Sequence, residues 1–211
     1  MVAAVVVTLV SLAAGGCSAR TDKECEAPDS RSAGTDVAHD MTLDEYLTSH
    51  GVRAAVQTRA DISDFGIGMQ QPPHWYVTRE HQLPNTYVVV SNTDAVDQSF
   101  VPNAVLIVHR LTGDFSQEEA IRRGSVDTER YDGFVLESEK VEDFQHGLSS
   151  VISGTYNDQG KRLHVVNRYV LATVHDTRYL ILNTITTTAD QFPSLSGDVK
   201  YFDEGIKIFI R

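Results

Sequence analysis

The chain has 211 residues, 41% of them hydrophobic and 22% charged, a composition that excludes wholesale disorder and a polytopic membrane protein. Eighteen Lys and Arg against 29 Asp and Glu leave a formal charge of −11, which excludes nucleic acid as a partner and rules out a basic patch as the means of membrane attachment. Both cysteines, Cys17 and Cys25, lie near the N-terminus, so no disulfide framework staples the folded part.

Residues 2–14 form an uncharged apolar run. It is shorter than the roughly 20 residues a spanning helix needs and has the length of a signal-peptide core. It ends in Ala14-Gly15-Gly16-Cys17, a small-residue cleavage site set directly before a cysteine, which resembles a lipobox. Residues 1–16 therefore read as a signal peptide and Cys17 as the site of lipid attachment. Ala14 stands where Leu or Val is commoner, and no Lys or Arg precedes the run. Each buried methylene of an acyl chain contributes about 0.8 kcal/mol, and several chains together hold a protein firmly on a membrane. Residues 17–40 offer almost nothing to bury and read as a tether with an r.m.s. reach of about 25 Å. The expected location is the outer face of the cell membrane, after export.

Residues 41–211 read as one domain. Thr42-Leu43-Asp44-Glu45 is a capping box that opens a short helix with Leu43, Tyr46 and Leu47 on its apolar stripe and Gly51 as its stop. From Ile67 the pattern changes to strands: Trp75-Tyr76-Val77, then 86–91 and 104–111. Ser116-Gln117-Glu118-Glu119 opens a second helix running towards Tyr131. Strands resume over 134–136, 150–156, 163–174 and 178–187, with turn signals at 157–160 and 175–176, the mark of an antiparallel series joined by hairpins. Asp190 is placed to cap a last helix whose residues Phe192, Leu195, Val199, Phe202 and Ile206 share one face, and 207–210 forms a closing strand. The expected fold is α+β, with α/β/α layers around a mainly antiparallel sheet.

The motifs of common chemistry are missing. Gly147-Leu148-Ser149-Ser150-Val151 lacks the second glycine of a nucleophile elbow, and Gly66-Ile67-Gly68 lacks the third glycine of a dinucleotide loop. None of the eight histidines forms an i, i+4 metal pair; His74 and His81 are seven residues apart across a proline-rich turn, and His109 falls on a strand. Glu137, Glu139, Glu142 and Asp143 read as a solvated strand edge that discourages aggregation. No catalytic residue, cofactor or metal is expected. Trp75, Tyr169 and Phe192 are the candidates to line an apolar cleft between the sheet and a covering helix, with ordinary core as the alternative.

Four segments together are similar to the LpqN and LpqT family of mycobacterial lipoproteins. They are Thr42-Leu43-Asp44-Glu45-Tyr46-Leu47 with Gly51-Val52; Pro73-His74-Trp75; Gly154-Thr155-Tyr156 with Gly160; and Asp203-Glu204-Gly205-Ile206-Lys207-Ile208. The resemblance covers about residues 41–208. It implies a PsbP-like fold on an envelope lipoprotein, with a non-enzymatic binding or adaptor role in envelope biogenesis. The partner would be an amphipathic lipid or a membrane protein. An envelope hydrolase with dispersed catalytic residues and a surface interaction protein are the alternatives. The family supplies no role for Cys25.

Overall fold

The computed structural model describes residues 41–62, 65–78, 83–97 and 99–210. The signal peptide, Cys17, Cys25 and the tether lie outside these residues, as does His81. Elements follow in the order α1 (Leu43–Ser49), β1 (Arg53–Val56), β2 (Phe65–Met69), β3 (Tyr76–Val77), β4 (Val88–Ser91) and β5 (Asn103–Thr112). Next come α2 (Gln117–Ile121), α3 (Val126–Glu129), β6 (Val135–Phe144), β7 (Gly147–Asp158), β8 (Lys161–Val174), β9 (Thr177–Thr188), α4 (Phe192–Glu204) and β10 (Ile206–Ile210).

Among the described residues the main sheet has eight strands in the order β3-β4-β5-β9-β8-β7-β6, with β1 also paired to β5. Every pairing is antiparallel. The four strands β6 to β9 form a meander because their loops are tight. Gln159 and Gly160 sit at φ 46° and 75°, and His175 and Asp176 at 45° and 63°, the left-handed pairs that a two-residue hairpin turn requires. β5 pairs with β9, so the chain from β5 to β6 must cross a whole face of the sheet. It does so through α2 and α3.

The two faces carry separate cores. On one, Ala104, Leu106, Val108, Val170, Ala172 and Ile181 pack with Val199 and Phe202 of α4 and with Phe65, Ile67, Ile206 and Ile208 of a two-stranded β2–β10 ribbon. On the other, Tyr169 and Leu171 pack with Leu43, Tyr46 and Leu47 of α1 and Ala120 and Ile121 of α2. Helices on both faces of an antiparallel sheet bear out the expected α/β/α layering.

Several local expectations are corrected. The second helix stops at Ile121, and a turn over 122–125 separates it from α3. The break falls where Gly124 is pressed against the sheet: a Cβ there would lie 3.1 Å from the Tyr169 ring and 3.2 Å from Ser150 Cβ, and glycine costs a helix interior about 1 kcal/mol. Asp190 does not cap α4. The cap position is Gln191, fixed by a reciprocal pair in which Thr188 N donates to Gln191 Oε1 (3.0 Å) and Gln191 N donates to Thr188 Oγ1 (3.1 Å). Ile206 belongs to β10 rather than to the helix, because α4 ends at Gly205, where a Cβ would collide with the Tyr201 carbonyl oxygen. The closing strand is present but pairs with β2, outside the main sheet. The strand expected over 134–136 continues through the acidic residues to Phe144 and forms the edge of the sheet.

Candidate functional site

The buried ionisable side chains Arg168 and His164 lie on the α4 face. β8 is apolar over most of its length, yet Arg168 at its middle is 1% exposed. Its neighbour across the sheet is Asn183 of β9. Both reach up to the last turn of α4. Arg168 Nε and Nη2 donate to the two carboxylate oxygens of Asp203, each at 2.8 Å, and Asn183 Nδ2 donates to the Phe202 carbonyl at 3.2 Å. A helix end leaves carbonyls without intrahelical partners and carries partial negative charge, so a cation and an amide donor are suited to that place. Arg168 Nη1 also donates to Glu142 Oε1 of β6 (2.9 Å) and to Ser149 Oγ (3.0 Å), while the guanidinium lies 4.5 Å from the centre of the Phe144 ring. Burial opposes the charge, and the hydrogen bonds and charges of Asp203 and Glu142 outweigh it, so the guanidinium sits above its ordinary pKa. The centre ties α4, β8, β7 and β6 together.

Two further groups stand on this face. Trp75 is buried edge-on against Phe202, with ring centres 4.7 Å apart, and its indole N–H donates to Asp198 Oδ2 at 2.8 Å. Near the start of α4, Phe192 stacks flat on His164, with ring centres 3.5 Å apart, and His164 Nε2 meets Glu137 Oε2 at 2.9 Å. Burial pulls the His164 pKa below its ordinary value against the opposing pull of Glu137. A histidine oriented by a carboxylate is half of a hydrolytic dyad. Its second nitrogen, Nδ1, is buried without a hydrogen-bond partner, so His164 has no hydroxyl beside it to activate.

Tyr169 lies on the opposite face. It is buried 3% exposed under α1 and α2, and burial drives its phenol far above the ordinary range. Close by, Asn167 Nδ2 donates to Thr128 Oγ1 of α3 at 2.7 Å. Asp127 of the same helix has its carboxyl pushed up to about 6, first by burial and then by Asp44 and Glu45, with Arg130 pulling the other way.

The three aromatics expected to line one cleft are thus divided. Trp75 and Phe192 share the α4 face, and Tyr169 points away from both because β8 side chains alternate between faces. Cys17 lies outside the described residues. Among those residues no three His, Cys, Asp or Glu side chains stand together as metal ligands, and no helix is long and apolar enough to cross a membrane. Sequence reasoning missed the Arg168 centre. Its trace was the polar pair Asn167-Arg168 inside the apolar stretch from Val165 to Ala172 of β8, together with Asp203 in the last of the family-like segments.

Among the described residues most of the outward-facing large apolar side chains gather on strands with a free edge. Val135 (55% exposed), Leu136 (50%) and Val141 (49%) lie on β6, Tyr76 (58%) and Val77 (41%) on β3, and Phe209 (57%) and Ile210 (44%) on β10. On the outer face of the ribbon, Gly66 and Gly68 leave room for the Phe209 ring, which lies 3.0 Å from where a Gly68 Cβ would be.

Residues 39–209 match the family model described as probable lipoprotein LpqN. The chain is 28% identical over 186 residues to the putative lipoprotein LpqT of Mycobacterium tuberculosis, a match covering 86% of this chain and 80% of that protein. It is 30% identical over 151 residues to the proline-rich 28 kDa antigen of the same organism, covering 71% of this chain and 48% of the antigen. The chain therefore spans about half the length of the antigens it matches. In structure it superposes on Mycobacterium tuberculosis LpqN, described as involved in cell envelope biogenesis, with a TM-score of 0.71 at 17% identity, covering 80% of this chain and 97% of that one. At that identity the likeness speaks for the fold.

Proposed function

Because this chain belongs to the LpqN lipoprotein family, we propose that it is a non-enzymatic adaptor of the cell envelope, held on the outer face of the membrane by acyl chains on Cys17 and docking a membrane protein. The observation that carries the reading is the placement of apolar surface. The large interior aromatics Trp75 and Tyr169 are spent on packing against helices on opposite faces of the sheet, while most of the exposed large apolar side chains among the described residues sit on the edge strands β3, β6 and β10, with Tyr201 of α4 and Val96 the others. Edge strands recognise other polypeptides, since they combine an unpaired backbone with accessible side chains. A cleft built from those aromatics would need them to converge, and they do not. Read from its composition as a flexible coil with a reach of about 25 Å, the segment 17–40 would set the folded part at the height of a membrane protein's exposed loops.

The role in envelope biogenesis described for Mycobacterium tuberculosis LpqN supports the cellular setting. In-cell photocrosslinking with the lipidated chain tests the reading. Crosslinkers placed in turn at Tyr76, Val135, Tyr201 and Phe209 are expected to yield one recurring membrane-protein adduct. Adducts with lipid alone, or with nothing, overturn it. Replacing Cys17 by Ser should abolish both the anchor and the adduct.

A further inference from the structure

The strand β6 closes one side of the main sheet, and among the described residues nothing pairs with its outer edge. From Ser138 to Phe144 its register with β7 runs without interruption, opposite Ser153 to Gly147. This leaves seven residues of regular strand with one free ladder. The bulge between Leu136 and Ser138 changes the phase of the strand, so Leu136 and Val141 share a face despite their odd spacing. That face, the one bearing α1 to α3, reads Leu136, Glu139, Val141, Asp143 along the strand: apolar, acidic, apolar, acidic.

The other charges of the strand are already committed. Glu142 holds Arg168 at 2.9 Å and Lys140 at 3.0 Å, and Glu137 meets His164 at 2.9 Å. Glu139 and Asp143 have no ion pair among the described residues, and both are exposed. The uncommitted charge on this edge is therefore negative, beside two apolar side chains that are about half exposed.

We propose that the outer edge of β6 accepts an added strand from a protein partner, an extended segment whose every second residue runs apolar, basic, apolar, basic. This rests on the adaptor reading and names its docking site. Main-chain hydrogen bonds along the free ladder supply affinity, and the alternating face supplies selectivity. A second copy of this chain does not suit the site, because two such edges would bring strands of net negative charge side by side. An anionic lipid surface is repelled for the same reason.

The test uses the full chain and a synthetic peptide in which Leu, Lys, Val and Arg alternate with Thr. Binding is expected to fall about tenfold when Glu139→Lys and Asp143→Lys are combined. It should fall similarly when a central Thr of the peptide becomes Pro, and it should vanish when the peptide's basic residues become Glu. Both chain substitutions are at exposed positions, so circular dichroism will show an intact fold. Equal binding by the proline peptide would overturn strand addition, as it would mean simple charge attraction. Equal binding by the doubly substituted chain, or no binding by the basic peptide, would overturn the site. In cells, a crosslinker at Glu139 should capture the same membrane protein as one at Val135. Capture from Tyr201 and Phe209 but never from β6 would refute the edge and leave the adaptor reading standing, whereas no capture from any position would refute both.

Discussion

Replacing Arg168 with Met should cost the fold about 3–4 kcal/mol. The substitution keeps most of the side-chain volume and removes the charge, leaving Asp203 and Glu142 without their shared partner. The two losses are unequal. The Asp203 side chain is 15% exposed and gives up two charge-assisted bonds of 2.8 Å, whereas Glu142 is 35% exposed and keeps Lys140 at 3.0 Å. A buried charge stripped of its partner costs about 3–5 kcal/mol, and a partly exposed one less than about 1 kcal/mol. Most of the loss therefore belongs to Asp203. Adding Asp203→Leu to Arg168→Met should restore most of the stability, since a buried pair replaced by apolar groups is often close to neutral. Urea unfolding of the wild type, both single variants and the double variant closes the cycle, with the slope against denaturant unchanged if the unfolded state is unaffected. A single-variant loss below about 1 kcal/mol, or a double variant no more stable than Arg168→Met, would refute this account of how α4 is fixed to the sheet.

Other perturbations follow from local geometry. Asp127 has its carboxyl raised from 3.8 to about 6, so the fold favours its protonated form; that contribution is fully present below 3.8 and is lost as pH rises through 6. The full shift corresponds to about 3 kcal/mol, reduced to about 1–2 for partial exposure, and Asp127→Asn should recover that amount at pH 7 and nothing at pH 3.5 in thermal unfolding. His164 acts with the opposite sign, because burial lowers its pKa: its contribution is present above the unfolded value of about 6.5 and is lost as pH falls below it. His164→Leu should flatten the acid limb of the stability curve. A Cβ at Gly147 would lie 2.7 Å from the Leu171 carbonyl carbon and would force β7 away from β8, while one at Gly197 in α4 meets nothing within 4 Å. Gly147→Ala should abolish folding or cost more than about 3 kcal/mol, and Gly197→Ala should stabilise by about 0.5–1 kcal/mol. Thr42 receives Glu45 N at 3.1 Å and Glu45 Oε2 receives Thr42 N at 2.8 Å, so Thr42→Ala should cost about 1 kcal/mol in chemical unfolding.

The elements legible in the sequence were those whose signals are local. The Thr42 capping box forms both of its bonds, and the hairpin turns at 157–160 and 175–176 place β7, β8 and β9 within a few residues of expectation. What escaped depended on phase or on distant partners. Leu163 to Val174 carries apolar residues on both faces, so strand alternation separates Tyr169 from Arg168 but does not say which of them faces α4. Only the packed helices decide it. β1 is a short strand of Arg, Ala, Ala and Val with little pattern of its own, held by pairing with β5. β6 was recognised only at its first residues because six polar and charged residues between Glu137 and Asp143, broken only by Val141, hide a strand whose ladder comes from β7. The Arg168 centre joins residues 142, 149, 168 and 203, a set that no spacing rule gathers.

The central claim, that the protein docks another protein rather than carrying an amphipathic lipid, is tested most directly by native and denaturing mass spectrometry of the lipidated chain purified gently from its own envelope. The account predicts a complex whose extra mass is a polypeptide, and a chain that on dissociation carries only its covalent acyl groups. A discrete, stoichiometric lipid mass that stays with the isolated chain and leaves on denaturation would contradict it and return Trp75 and Phe192 to consideration as the walls of a binding site.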